Sequence, residues 1–286
     1  MTYEHIQRWE GEFGVSKQCE VLEVSRSGYY EWRERGESAR HSENRALGVT
    51  IKEVFDQSEQ TYGSPRVHAE LKARGHTVGR KRIARIMRKD GLVSVHRKKF
   101  RCTTDSNHQH PVAANVLERE FEATGPNQKW AGDITYIQTR AGWLYLAVVL
   151  DLFSRQIVGW SFSDSLSKNI AVDALQMALR HRGVSPELFH SDRGVQYASG
   201  TYQQELIDRQ IICSMSRKGN CWDNAVSESF FHSLKVERVR RRRYACREHA
   251  RADVFDYIER FYNRRRRHSS LGYLSPVEFE IIKKAA

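Results

Sequence analysis

The sequence predicts an α/β protein whose core is a mixed five-stranded sheet with helices on both faces, preceded by an all-α region. Three observations predict this fold. Helical patterns alone occur before residue 102, three strand patterns joined by short turns follow Asp133, and helix and strand patterns then alternate between Ser167 and Lys235. Short turns are typical of an antiparallel meander. The resulting order, β-β-β-α-β-α-β-α, is that of a mixed sheet with helices packed on it.

Composition limits the classes to which the chain can belong. Its 286 residues leave room for one to three domains, and 47 Lys and Arg against 35 Asp and Glu give a net charge of +12. Such a charge favours an acidic partner, most often nucleic acid, although a basic surface without a ligand is the plain alternative.

The cysteines and the apolar runs indicate a cytoplasmic protein. The five cysteines are scattered and form no CxxC pair, which favours free thiols in a reducing compartment over disulfides or a zinc site. The sequence has neither a signal-peptide pattern nor an apolar run long enough to span a membrane, so no membrane association is expected.

Residues 1–38 form the first predicted unit, a small helical segment. A helix pattern over residues 15–24 is followed by a Ser/Gly turn and then by the sequence YYEWRER. Two interpretations fit: a small helix-turn-helix unit, or a helical hairpin docked on the next domain.

Residues 39–101 are predicted to form a helix-turn-helix DNA-binding domain. After a first helical stripe, Ser64 as N-cap and Pro65 at the first helical position start a short helix. The next helix, RKRIARIMRKDG, turns isoleucine and methionine inward and a basic face outward, as expected of a helix that enters the major groove. A solvated basic face is the alternative. The residues expected to contact double-stranded DNA here are Arg80, Lys81, Arg82 and Arg85.

Residues 102–126 are predicted to be a linker, and residues 127–240 the α/β core. The linker begins with a cluster of polar residues and shows little apolar periodicity. The predicted elements of the core are a strand from Asp133 to about Gln138, strands over 143–151 and 156–162, a helix after Ser167, a strand ending at Asp192, a helix, a short strand over 211–214, and a last helix from about Asp223.

Three acidic residues of this core are predicted to form a catalytic, metal-binding triad. Asp133 enters the first strand, Asp192 leaves the fourth, and Glu228 lies on the last helix. Ligand groups gather at strand ends in α/β sheets. Three carboxylates without nearby Cys or His suit Mg²⁺, with Mn²⁺ as a substitute, and two such ions can promote phosphoryl transfer. Each acid taken alone could equally be a surface carboxylate or a structural cap.

Polar residues around the triad are expected to contact DNA. Lys235 lies two turns beyond Glu228 on the same helix face, where a cation can meet a polyanion. Arg193 and Lys218 flank the site in loops. Asn224 lies one turn before Glu228 and is either a contact to DNA or to a metal-bound water, or a residue that starts the helix.

Other residues near the site have two interpretations each. His190 could order the site or simply pack in the core, because it precedes Asp192 by two residues and points to the same side. Asp151 could approach the site, although a structural pair with Arg155 is the favoured reading. Core packing is favoured over base stacking for Trp130, Trp143 and Trp160.

Residues 241–286 are predicted to be a basic C-terminal helical extension. One helix would bury Val254, Phe255, Tyr257, Ile258 and Phe261. The run Arg264–Arg267 would form one compact basic patch, in which Arg264 and Arg265 contact DNA. The alternative is a solvated, charged helix end.

Four motifs, in order, carry a resemblance: WAGDITYI, FHSDRGVQY, NAVSESFFHSLK and YNRRRRHSSLGYLSP. They resemble those of the DDE transposases of bacterial insertion sequences, and more narrowly the product of the second of two overlapping reading frames in such an element. The upstream unit from YGSPRVHAEL to MRKDGLV is similar to a helix-turn-helix usual in this group. The resemblance covers nearly the whole chain.

The resemblance implies a ribonuclease-H-like, retroviral-integrase-like catalytic core, Mg²⁺ dependence and DNA strand transfer in the bacterial nucleoid. By position, Asp133, Asp192 and Glu228 correspond to the catalytic triad, and Lys235 to the basic residue that contacts the element's terminal DNA. Water would cleave a phosphodiester at the element's end, and the freed 3′-hydroxyl would attack target DNA. The implied partners are element-end DNA, target DNA and at least one further copy of the chain.

Two other functions compete with this one. Full transposases of such elements commonly carry an upstream helix-turn-helix and a leucine zipper, and this chain has no sustained heptad pattern. It could therefore be a catalytic half or an end-binding regulator that needs the product of the upstream frame. A structure-selective nuclease on the same fold is disfavoured by the basic C-terminal motif and the helix-turn-helix.

Overall fold

The computed structural model describes residues 2–35, 38–95, 111–167, 169–217 and 221–285. The chain divides into two compact units. The first comprises Met1–Gln60 and Glu70–Val93, and the second comprises Thr61–Ala69 and Ser94–Ala286. The five-segment division predicted from the sequence stays a prediction, because it rests on boundaries that this division does not test.

The first unit is entirely helical in its described part. Its first three helices, α1 (Thr2–Trp9), α2 (Val15–Val21) and α3 (Arg26–Glu34), surround a small apolar core. Ile6, Cys19 and Tyr29 fill that core, one from each helix. The Oγ of Ser25 accepts a hydrogen bond from the Gly28 N–H and caps α3, as the predicted Ser/Gly turn requires.

Three longer helices follow: α4 (Ala39–Gln57), α5 (Ser64–Ala73) and α6 (Arg80–Lys89). Ile83, Ile86 and Met87 of α6 are buried, as predicted, and α4 packs on α6. Helix α5 begins at Ser64 rather than after it, because the carbonyl of Gly63 already accepts the N–H groups of residues 66 and 67. The predicted helix start is therefore one residue late.

The second unit contains the predicted five-stranded mixed sheet. Its strands are β1 (Lys129–Thr139), β2 (Gly142–Asp151), β3 (Ile157–Ser163), β4 (Leu188–Ser191) and β5 (Ile212–Met215). The spatial order is β3-β2-β1-β4-β5, with β1 to β3 antiparallel and β1, β4 and β5 parallel. β1 starts four residues before Asp133, because Lys129 to Ala131 pair with β4.

Helices flank this sheet and complete its core. They are α7 (Asn169–Arg182), α8 (Gly200–Asp208) and α9 (Ala225–Glu237). α7 packs on β2 and β3, and α9 packs on β1. α7 approaches β3 so closely that a Cβ on Gly159 would lie 2.3 Å from the carbonyl oxygen of Ala174. Glycine is therefore required at that position.

The described part of the predicted linker has no helix or strand but packs onto the sheet. Leu117 is buried, and the backbone N–H groups of Val116 and Leu117 both donate to the Oγ of Ser214, each at 3.0 Å. Residues 111–126 are thus part of the second unit.

The C-terminal segment also belongs to the second unit. α10 (Arg247–Asp256) continues into a π-helical stretch, Tyr257–Tyr262, and α11 (Pro276–Ala285) ends the described chain. The side chain of Asn263 exchanges two hydrogen bonds of 2.9 Å with the backbone of Ile157 and so extends the edge of β3. Four of the five predicted apolar positions are buried, but Phe255 is 46% exposed, so that prediction is wrong.

The three tryptophans predicted to be core residues differ. Trp130 is fully buried, and half-buried Trp160 donates its Nε1–H to Glu259 at 2.8 Å. Trp143 is 44% exposed and packs edge-on against Tyr136, so its assignment to the core is wrong. No helix within the described ranges is long and apolar enough to cross a membrane.

Candidate active site

The parallel pairing of β1 and β4 brings two of the predicted acids together. Ala131 lies opposite His190 in the register of these strands. Asp133 and Asp192 each follow two residues later, and side chains alternate with a period of two. Both acids therefore lie at the same level and on the same side, on strands about 4.8 Å apart.

The electrostatics of Asp133 confirm this proximity. Burial, and next the negative charge of Asp192, raise the pKa of Asp133 well above its usual value. Glu228 raises it further. The backbone N–H of Ile134, which donates to Asp133 Oδ1 at 2.8 Å, and the cation of Lys235 oppose these effects without cancelling them.

Asp192 lies in a tight turn directly after β4. The Gly194 N–H donates to its Oδ1 at 2.9 Å, and a Cβ on Gly194 would lie 2.9 Å from that same oxygen. The turn therefore fixes one carboxylate oxygen and needs glycine two residues on. This explains the residues that follow the acid in FHSDRGVQY.

Glu228 supplies the third acid from the first turn of α9. Its side chain is half-buried, and burial followed by the charge of Asp192 raises its pKa above the usual value. Three elements distant in sequence thus bring three mutually repelling carboxylates into one region.

A buried aspartate anchors the start of α9. Asp223 accepts hydrogen bonds from the Arg217 side chain and backbone (2.7–2.9 Å), from Arg119 Nε at 2.8 Å and from Asn115 Nδ2 at 3.0 Å. The hydrogen bonds from Arg217 come first among the effects that hold the pKa of Asp223 well below its usual value. This network fixes the helix that carries Glu228, and no sequence motif pointed to it.

His190 is a packed, neutral residue of the sheet. It is fully buried, with Nδ1 2.9 Å from Ser214 Oγ and Nε2 3.2 Å from Ser216 Oγ. Because Ser214 Oγ already accepts two backbone N–H groups, its own hydrogen points to Nδ1, which places the ring proton on Nε2. Burial lowers the pKa of His190 to about 4. The packing interpretation therefore describes it better than a direct role.

Lys235 lies near the acids but is held by an aromatic ring. Its Nζ is 5.0 Å from the centroid of Tyr136 on β1. Burial, and then Arg240, lower its pKa, while Asp133 opposes that shift. A half-buried cation beside an acidic site is suited to one phosphate of a bound polyanion.

Two other expectations for the core are resolved differently. Arg193 Nε donates to the backbone carbonyl of Ser216 at 2.6 Å, so this arginine helps to join the two loops that flank the site. Asn224 is buried at the start of α9 and makes no side-chain cap. Lys218 lies outside the described residues.

Asp151 takes no part in the site. Its Oδ2 accepts from Arg182 Nη2 at 3.3 Å and from the Asn127 N–H at 2.8 Å. Arg155 contributes only its backbone N–H, which donates to the Asp151 carbonyl. The predicted pairing of the Asp151 and Arg155 side chains is therefore wrong, because Arg182 of α7 occupies that place.

The predicted C-terminal basic patch is divided. Arg264 and Arg265 are exposed, as a DNA contact requires. Arg266 instead turns inward and forms a buried ion pair with Glu237, with Nη2 2.6 Å from Oε1 and Nε 2.7 Å from Oε2. A run of arginines does not reveal which member is buried, so the expectation of one continuous patch is wrong.

The basic face of α6 is described within the first unit. Arg80, Lys81 and Arg85 are exposed. Arg82 is half-buried and binds Asn44 Oδ1 at 2.7 Å and Glu43 at 3.0 Å, so it fastens α6 to α4. Three of the four residues thus form an accessible basic surface.

The chemistry of the three acids fits a hard divalent cation. Carboxylate oxygens are the ligands that Mg²⁺ and Mn²⁺ prefer, and the raised pKa values show negative charges that a cation would relieve. Over the described ranges, however, no three His, Cys, Asp or Glu side chains are spaced as a complete metal site. The ligand role of Asp133, Asp192 and Glu228 therefore stays a prediction.

A buried aromatic residue beside the acids was missed from the sequence. Tyr197 packs against Phe189 and Tyr202. Burial, then Tyr202, and then the charges of the two aspartates raise its pKa well above the usual value. Its position at the end of FHSDRGVQY was the available signal.

Family models match most of the chain. An integrase core domain matches residues 123–221, a second integrase core domain matches residues 228–283, and an HTH-like domain matches residues 41–100. The first two contain all three acids between them.

Similar proteins include curated transposases. The transposase InsF for insertion sequence IS3A of Escherichia coli strain K12 is 47% identical over 283 residues, which is 98% of each chain. The insertion element IS600 uncharacterized 31 kDa protein of Shigella sonnei is 43% identical, over 91% of this chain and 96% of its own. A solved structure of the HTLV-2 integrase catalytic core domain in complex with magnesium (trimeric form) has a TM-score of 0.44 at 15% identity, over 55% and 99% of the two chains. At that score the similarity supports no further statement.

Proposed function

Because the chain belongs to the IS3 family of insertion-sequence transposases, with an integrase core domain, we propose that it catalyses metal-dependent 3′-end cleavage and strand transfer of its element. The observation that carries this proposal is the register of β1 and β4, which places Asp133 and Asp192 side by side. The charge of Asp192 also reaches Glu228. Such a cluster of carboxylates is costly unless it binds a cation.

The proposed reaction has two transfers at phosphorus. Water first attacks the phosphodiester at the element's end, and the 3′-oxygen leaves as a hydroxyl. That hydroxyl then attacks a phosphodiester of target DNA. Asp133, Asp192 and Glu228 would hold the Mg²⁺ or Mn²⁺ ions, two in each site. When bound, these ions supply Lewis-acid chemistry at the scissile phosphate.

The chain's own residues would orient the DNA. Lys235, held by Tyr136, would pair with a phosphate next to the reacting bond. Arg80, Lys81 and Arg85 would bind the element's end through α6, and Arg264 and Arg265 would contact the backbone of bound DNA. Asn224 and Arg193 would support the loops at the site. Each phosphate contact positions the DNA without reading its sequence.

The proposed assembly follows from the reaction. Joining two ends to one target requires at least two active sites, so a homodimer or higher oligomer on DNA is proposed, with the upstream reading-frame product as a further partner. Under the alternative function, this chain binds ends but turns over only when that product is supplied.

The test uses a labelled duplex that carries the terminal repeat of the element, with Mg²⁺ and a target plasmid. We expect cleavage and joined product from the wild type and none from Glu228→Gln, while both bind the duplex. Asp208→Asn, an exposed carboxylate at the end of α8, is the matched control and should keep activity. Cleavage that survives Glu228→Gln would contradict the site assignment. Binding without cleavage by the wild type and both variants would favour the end-binding alternative.

A further inference from the structure

A second polar cavity lies in the same unit as the three acids. Its volume is about 230 Å³, far more than the roughly 30 Å³ that one water molecule occupies in the liquid. The residues that line it come from α5, the β2–β3 turn, α9 and the segment after α10. The charged and polar ones are Arg66, Arg155, Ser229, Ser233, Arg266 and His268, with Ser269 and Ser270. Exposed serines form its rim and buried residues its floor.

Three guanidinium groups converge on this cavity with little negative charge to balance them. Arg266 is paired with Glu237, whereas Arg66 lies 3.7 Å from the same carboxylate. One acid therefore serves two arginines. His268 reports the excess, because burial, and then the charges of Arg266 and the other two arginines, lower its pKa well below the usual value.

Arg155 gives the strongest indication of a missing ligand. It has a left-handed backbone (φ 61°), which directs the chain at the β2–β3 turn. Its Nη2 donates weakly to the carbonyl of Phe121 at 3.4 Å, but its Nη1 is buried with no hydrogen-bond partner among the described residues. A buried guanidinium N–H without an acceptor is costly, so this arginine is poised for an acceptor that the protein does not supply.

The start of α9 adds to the positive potential. Ala225 and Val226, the first two residues of this 13-residue helix, line the cavity. Asn224 precedes them but does not cap their N–H groups with its side chain. Free N–H groups at a helix start favour an anion. Glu228 lies about 100° around the helix from Ser229, so the cavity and the acids occupy neighbouring faces of α9.

We propose that this cavity is a binding site for a phosphate group, held by Arg155 and Arg66 with the serine rim and the start of α9. A tetrahedral oxyanion matches the converging guanidinium groups, which prefer phosphate and carboxylate. Phosphate is favoured because the cavity offers donors from several directions, more than a planar carboxylate can use. The source is either inorganic phosphate or the DNA backbone, and the second rests on the proposed function.

The first arm of the test uses inorganic phosphate, without DNA and in the presence of EDTA. The wild type should show a saturable rise in Tm of about 2–4 °C at phosphate about five times its dissociation constant. Arg155→Gln should lose this rise and still fold, because its Nη1 makes no contact that holds the fold. Arg260→Gln removes a 79% exposed charge from the adjoining π-helical stretch and is the matched control. The general stabilisation by phosphate salts acts on all three proteins alike.

The second arm measures the binding of a random-sequence duplex over a range of salt concentrations. Each phosphate contact contributes about 0.9 to the slope of log K against log salt. Arg155→Gln should lower that slope by about 0.9 if DNA supplies the phosphate, and Arg260→Gln should not. Ser229→Asp, which places a carboxylate on the exposed rim, should act like Arg155→Gln in both arms.

The outcomes separate the two sources and the proposal itself. Loss of the phosphate response with a reduced slope assigns the site to backbone phosphate. Loss of the response with an unchanged slope assigns it to inorganic phosphate, and a reduced slope alone assigns it to the DNA phosphodiester. Equal behaviour of wild type, Arg155→Gln and Ser229→Asp in both arms would overturn the proposal. None of these results depends on cleavage, so failure here is distinct from failure of the proposed function.

Discussion

Helix α9 holds its acids in two opposite settings. At its ends, Asp223 and Glu237 are surrounded by arginines, and the pKa of each is below the usual value. In its first turn, Glu228 faces Asp192, and its pKa is above the usual value. The same residue type therefore serves two purposes, decided by the sign of the nearest charge.

This difference separates structural acids from ligand-binding ones. A buried carboxylate that already has an arginine is satisfied within the fold, whereas one beside another carboxylate gains from a cation supplied from outside. The arginine cavity next to the site is the mirror case, with cations in place of acids. Perturbed groups of both signs on neighbouring faces of one helix suit a protein that binds a metal and a polyanion together.

The largest expected effect comes from breaking the acid at the C-terminal end of α9. Burial pushes the pKa of Glu237 up, but the charge and hydrogen bonds of Arg266 outweigh it. Glu237→Gln leaves Arg266 buried without its counter-charge, which should cost about 3–5 kcal/mol of unfolding free energy. Urea denaturation of the second unit measures it.

The control for this prediction is a surface pair. Glu205 lies 3.4 Å from Arg209, which is 42% exposed, so Glu205→Gln should cost at most about 1 kcal/mol. The double variant Glu237→Gln with Arg266→Met should recover part of the loss. Equal costs for Glu237→Gln and Glu205→Gln would show that the buried pair is not structural.

Asp223→Asn should have the next largest effect, about 2 kcal/mol, because hydrogen bonds to a charged acceptor are lost at the start of α9. Its lowered pKa means that the contribution is full above about pH 4, where the unfolded acid is ionised, and disappears as the pH falls through the folded value. Wild type and variant should therefore differ at pH 7 and converge in strong acid. Parallel stability curves across that range would contradict this account.

Much of this architecture could be predicted from the sequence. Strand and helix patterns gave the mixed five-stranded sheet, and the periodicity of α6 gave its buried side. The three acids could be singled out because each ends or interrupts an apolar element. The proximity of Asp133 and Asp192 then follows from the parallel pairing of two strands, a single fact about topology.

The sequence could not predict how charges pair across distant elements. Asp223 meets Arg119 from the segment before β1, and Arg182 rather than Arg155 meets Asp151. Within one run of arginines, Arg266 is buried and Arg265 is exposed. These choices depend on which side of a helix faces a neighbour, and local composition carries no information about that.

Asp133→Asn should reveal the opposite sign of the acids at the site. Since the folded pKa of Asp133 is raised, its ionisation weakens the fold as the pH rises from about 4 through that pKa. The asparagine variant should therefore be more stable than wild type by about 1 kcal/mol at pH 7, with no difference in strong acid. Strand transfer should be abolished.

Added Mg²⁺ provides the matching measurement. It should raise the Tm of the wild type at pH 7 and leave that of Asp133→Asn nearly unchanged, because the cation offsets a repulsion that the variant lacks. Gln203→Glu, which adds an acid on α8 away from the three carboxylates, should keep the wild-type response. An equal Mg²⁺ response in wild type and Asp133→Asn would show that the ion binds elsewhere.

The smallest expected effect concerns Tyr136, whose ring holds the cation nearest to Asp133. The contact with Lys235 is a cation–π interaction worth about 0.5–1 kcal/mol. Tyr136→Leu should therefore weaken binding of the element-end duplex by about twofold to fivefold in EDTA, because Lys235 is then less well positioned for a phosphate. Tyr136→Phe keeps the ring and should bind as the wild type does. If leucine and phenylalanine weaken binding equally, the hydroxyl rather than the ring face is responsible, and Lys235 is positioned by other contacts.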